Sequence, residues 1–173
     1  SASFLKAVLF QRDMPESKEL MKELEEKFEL MKKELKFKAT LEQIDTVFFI
    51  RDFVQEQGYV SHYLSRQVCQ RITALFNAWY GYMHGILSPN PQSMLNMTEH
   101  QMFEDSEKRE MMELMSKICA LSSSNVLIGL TKDKVKEGAF VDEAVKLWEE
   151  TKPKLVKLME KVNTGWKEKK APK

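Results

Sequence analysis

Apolar residues recur along this chain at spacings of three and four, the period that places them on one face of an α-helix. From Met14 to about Lys36, the residues Leu20, Leu24, Phe28, Met31 and Leu35 form one stripe, and the other faces are Glu and Lys, as in KELEEKFELMKKELK. Asp13 with Glu16, and Pro15 in the first turn, mark the start of this helix. Thr40 with Gln43 opens a second helix through Ile44, Val47, Phe48 and Val54, and Gly58 suits its C-terminus. Ser61 caps a third, which must stop at Pro89. The stretch SPNPQSMLNM, residues 88–97, reads as a loop. Thr98 with Gln101 then opens a long helix through Met111, Met115 and Ile118 toward Leu130, with residues 122–125 as a candidate break. Gly138 ends a charged turn. Val141, Ala144, Val145 and Trp148 begin a last amphipathic segment. Pro153 kinks or restarts it, and Leu155, Leu158, Met159, Val162 and Trp166 carry it on. Phe4, Leu5, Val8 and Leu9 suggest a short leading helix.

No period-two alternation bounded by turn residues is sustained anywhere, so strands are not expected. The expected fold is all-α: a single helical bundle of five to seven helices over residues 1–166, with a basic C-terminal tail at 167–173.

The centre of the bundle is assigned to the helix at about 62–88. Ile72 through Thr98 contain no Asp, Glu, Lys or Arg, in a chain that is 31% charged. A helix apolar on every side is expected to be surrounded by others or buried in an oligomer. Thr73, Asn77, Gly81 and Gly85 recur every four residues and line one face with small groups. Glycine within a helix costs about 1 kcal/mol against alanine. Gly81 and Gly85 therefore mark a close helix contact, inside the bundle or across a homodimer, or a ligand pocket over the glycine groove.

Charge and cysteine content narrow the classes. The formal net charge of +1 argues against a dedicated nucleic-acid binder. It conceals an asymmetry, however: Lys152–Lys173 holds eight lysines against Glu160 and Glu168, while Glu99–Leu114 holds six acids against Lys108 and Arg109. Cys69 and Cys119 each sit in an apolar helical pattern, which suggests two buried thiols in a reducing compartment. The N-terminal residues lack signal-peptide features. The apolar run at 72–87 falls short of the roughly 20 residues of a membrane span. A cytoplasmic protein with no transmembrane segment is the expectation.

Candidate chemistry is sparse. Glu23 and Glu26 lie three apart on the first helix, and Glu42 and Asp45 three apart on the next, so each pair shares a helix face. Two antiparallel helices carrying such pairs can direct four carboxylates at one Mg²⁺. The E-x-x-E then E-x-x-D pattern, followed by TVFFIRDF, resembles that of the all-α nucleoside-triphosphate pyrophosphohydrolases. The resemblance covers about 30 residues and implies Mg²⁺-dependent hydrolysis through those four acids. Separately, Phe53 through Gly58 to Leu64-Ser65-Arg66 resembles helix-turn-helix phrasing, with Ser61, His62, Ser65 and Arg66 toward a major groove. No His-x-x-x-His, Cys-x-x-Cys or glycine-rich phosphate loop is present.

Six of the eleven methionines fall between Met94 and Met115. Methionine fills irregular cores and also coats adaptable binding surfaces. Met94 and Met97, in the proline loop, are the candidates for exposure beside an acidic helix. The expected function is that of a self-associating helical interaction or accessory protein without a cofactor. Gly81, Gly85, Met94 and Met97 are its candidate contact residues.

Overall fold

The computed structural model describes residues 15–168. Within them lie seven helices and no strand: α1 (Pro15–Leu35), α2 (Leu41–Phe48), α3 (Ile50–Gln57), α4 (Leu64–Leu87), α5 (Met94–Gln101), α6 (Asp105–Thr131) and α7 (Lys134–Glu168). The all-α bundle expected from periodicity is the architecture observed. The leading segment at Phe4–Leu9, the Asp13 cap and the tail beyond 168 lie outside the described residues.

Three long helices, α4, α6 and α7, pack on one another, and α1 lies against α4 and α7. Their stripes make one core, in which Leu24, Phe28, Ile44, Val68, Ile72, Phe76, Met83, Ile118 and Ala144 are fully buried. Phe48, Phe76 and Trp148 join α2, α4 and α7 as a ring cluster with centroids 6.0–6.5 Å apart. Edge-to-face and tilted contacts of this kind suit the aromatic quadrupole.

Several local expectations are revised. The helix opened by Thr40 breaks at Phe49, which adopts a left-handed φ of 54° and separates α2 from α3. The capping box itself is present, with Gln43 N–H donating to Thr40 Oγ1 and Thr40 N–H to Gln43 Oε1. Met94 and Met97 are helical, because Ser93 Oγ caps α5 through the Asn96 N–H at 3.2 Å. The capping box that opens α6 belongs to Glu104 and Glu107 rather than Thr98 and Gln101. α6 runs unbroken through Ser122–Ser124, and α7 continues through Pro153 for 35 residues. Gly138 ends no turn. It sits within α7, beneath the end of α1.

The central helix spans 64–87, and it is not covered on all sides. Gln70, Ala74, Asn77, Ala78, Gly81 and His84 form an exposed stripe along it. These residues are small or neutral and polar, so leaving them in water wastes little apolar area. Cys69 is buried as expected, whereas Cys119 is exposed. By length and composition alone α6 passes for a membrane-spanning helix, with a third of its apolar window buried in the bundle.

Candidate functional site

The acids expected to hold a metal meet a guanidinium instead. Because Phe49 turns the chain sharply between α2 and α3, Arg51 folds back over the end of α2. Asp45 Oδ1 accepts the Arg51 backbone N–H at 2.7 Å, and Oδ2 accepts its side-chain N–H at 3.0 Å. Glu42 pairs with the same guanidinium, and Glu25 of α1 approaches it to 3.6 Å. Arg51, hydrogen-bonded to Glu42, holds that carboxyl below the usual carboxylate range, and the Glu42 bond raises Arg51 in turn. On α1, Glu23 is paired with Lys27 at 2.8 Å, and Glu26 is exposed. Thus Glu42 and Asp45 converge, while Glu23 and Glu26 do not join them. Among the described residues no group of three or more His, Cys, Asp or Glu is placed to hold a metal ion. The corner is an ion-paired clamp on the α2–α3 turn, one guanidinium held among three carboxylates.

The cations that groove recognition would need are also engaged. Arg66 donates to Glu137 Oε2 at 2.9 Å and to Asn125 Oδ1 at 2.8 Å. Glu137 and Asn125 are both buried, so this network ties α4 to α6 and α7 inside the bundle. Arg71 stacks over the Phe53 ring at 5.0 Å. Ser61 Oγ accepts the Tyr63 N–H at 3.0 Å, and His62 is exposed.

The four candidate contact residues divide in two. Gly81 lies on the exposed stripe of α4, and a Cβ added there would meet nothing within 4 Å. Gly85 is covered by Asn96 Nδ2, 3.6 Å from where its Cβ would stand. Met94 is 81% exposed and Leu95 54%, whereas Met97 is half-buried. α5 lies along the C-terminal half of α4, with Asn96 over Gly85 and Glu99 bonded to Tyr82. Gly81 and Met94 therefore belong to the same end of the bundle.

No protein-family model, curated protein or solved structure matches this chain.

Two buried groups were missed by sequence reasoning. Glu99 is buried and accepts Tyr82 O–H at 3.2 Å and Trp166 Nε1–H at 3.0 Å, fastening the end of α7 to α4 and α5. Burial first, and then the Glu99 charge beside it, pushes the Tyr82 hydroxyl up to about 12. Its neighbour His100 sets Nδ1 2.7 Å from the Ile86 carbonyl, which can only accept, so that nitrogen is the donor. The available signal was positional: Glu99 is the first charged residue after the 27 uncharged ones. Glu137 gave no such signal, because it stands in a run of exposed charges.

Proposed function

We propose that this chain is a non-enzymatic helical interaction protein of the cytoplasm that self-associates through the charge-free stripe of α4. The observation that carries this reading is Gly81, standing open toward the C-terminal end of an exposed stripe without a charge, in a chain rich in charges elsewhere. A helix from a second copy can approach the backbone closely there, since small side chains leave the surface flat and cost little side-chain entropy on contact. Exposed Met94 and Leu95 at the same end supply adaptable apolar area at the edge of that contact. Such a surface suits a partner's apolar face.

Sedimentation across a concentration series tests the proposal. Wild type is expected to self-associate at micromolar concentration, and Gly81→Trp or Ala78→Glu to be monomeric with an unchanged helical spectrum. A wild type that stays monomeric, or a Gly81→Trp variant that associates as before, defeats it.

A further inference from the structure

A second surface lies at the other end of α4, where α6 turns into α7. The connection is two residues long. Lys132 closes α6 in a left-handed conformation, its N–H bonded to the Ile128 carbonyl at 2.8 Å. Asp133 opens α7, with Oδ1 accepting the Lys136 N–H at 3.1 Å. Beside this tip the chain turns aliphatic side chains outward: Leu130 is 77% exposed and Val135 80%, with Val126 and Leu127 on the turn before. Four apolar residues standing in water within ten positions need a reason.

Lysines outnumber acids around them. The end of α1 is docked beside the tip by the Lys134–Glu34 ion pair and by the Lys38 and Ala39 N–H groups, which donate to Asp142 at 2.9–3.0 Å. This brings Lys36 to the same end as Lys132 and Lys136, with Lys38 about two turns farther along α7, all four exposed and without an ion-pair partner among the described residues. The neighbouring acids are engaged: Glu34 by Lys134, Glu137 by Arg66, Asp142 by the two N–H groups, and Asp133 as a cap.

From this juxtaposition we infer that the α6–α7 tip docks on an anionic lipid bilayer. Lysine ammonium groups meet headgroup phosphates and carboxylates, while Leu130 and Val135 sink between the first carbons of the acyl chains. A nucleic acid would satisfy the lysines and leave both aliphatic side chains in water, so lipid fits the observations better. The tip lies on the membrane and does not cross it. The opposite face of α6, from Met111 through Ile128, is buried in the core and cannot be given up.

Vesicle flotation of the full chain tests this inference. Binding is expected to mixed phosphatidylserine–phosphatidylcholine vesicles and not to phosphatidylcholine alone, and to weaken about tenfold when salt shortens the screening length to about 3 Å. Leu130→Glu with Val135→Glu should lower affinity at least about tenfold. Thermal stability should be unchanged, because both residues are exposed. Lys132→Glu with Lys136→Glu should remove the preference for anionic lipid. No flotation with anionic vesicles overturns the inference, as does flotation that the Leu130/Val135 variant leaves intact. So does duplex RNA binding that needs the two lysines and is indifferent to the two aliphatics.

Discussion

Gly138 of α7 lies directly beneath the last residue of α1: a Cβ added there would stand 2.9 Å from the Leu35 carbonyl carbon and collide with its oxygen. Both partners in that collision are fixed, one in each helix backbone, so neither can swing away. Gly138→Ala is expected to cost about 2–4 kcal/mol, lowering the melting temperature by roughly 5–15 °C. Gly81→Ala, helical and in open space, is expected to gain up to about 1 kcal/mol. Thermal melts of the two variants side by side check the pair; equal effects would contradict the geometry.

Arg66 and Glu137 form the ion pair nearest the core, with Asn125 completing the network. Removing one partner strands the other charge in a site built for a pair. Arg66→Met alone, or Glu137→Leu alone, should cost about 2–3 kcal/mol, less than a fully buried pair because the Arg66 side chain is 27% exposed. The double variant should recover most of the loss. Urea denaturation of all three measures the coupling, and strictly additive losses would show that the two side chains do not work together.

Alkaline pH should weaken the fold through two protons. Burial, and then the neighbouring Glu137 charge, pushes the Cys69 thiol up to about 12 from an ordinary 9.0. Tyr82 rises to about 12 from 10.0. In both cases the folded state favours the protonated form, so the unfolded chain releases these protons first. This stability is therefore complete below about pH 9 and declines as pH rises toward 12. Urea midpoints measured between those limits should fall, and Tyr82→Phe should flatten part of the slope. At neutral pH a thiol reagent should label exposed Cys119 and reach Cys69 only on unfolding. A Tyr82 that ionises with the exposed tyrosines would contradict the first expectation, and two equally reactive thiols the second.

Phe49 is a bulky side chain in the left-handed region, half exposed, between two helices. Such a residue pays roughly 1 kcal/mol in backbone strain that glycine avoids. Phe49→Gly should therefore be neutral or stabilising by up to about 1 kcal/mol. Asp45→Ala, which removes the acceptor of the Arg51 N–H and side chain, should destabilise by about 1–2 kcal/mol. If Phe49→Gly is the more damaging of the two, the Phe49 ring makes contacts that outweigh the strain.

The bundle was legible because its signals are local. Leu24, Phe28, Met31 and Leu35 read as a core stripe at helical spacing, and they are buried as one. The Thr40–Gln43 box was likewise readable, since both halves lie within four residues. What escaped depends on distant partners. Nothing near Phe49 in sequence announces a left-handed residue; the break is held by Arg51 folding back on Asp45. Nothing near Glu42 distinguishes a metal ligand from a partner of arginine, because the same acids serve either cation. The lack of charge along α4 from Ile72 on was legible, but the exposure of one stripe within this chain was not, since an uncharged face does not say whether a helix of the same chain covers it. Leu130 and Val135 lie off the buried stripes of α6 and α7, and an apolar residue at such a position does not by itself announce a surface role.

The anchoring of α1 on α7 has a kinetic consequence. Lys38 and Asp142, which seal that contact, are 104 residues apart, so during synthesis at about 5–20 residues per second the stripe of α1 waits on the order of five to twenty seconds for its native cover. Over that interval α3 and α4 are the partners of α1 already made, and the part of its stripe that faces α7 stays open to passing apolar surfaces. Slowing translation ahead of α7 is therefore expected to raise aggregation of the nascent chain without altering a single contact of the finished bundle.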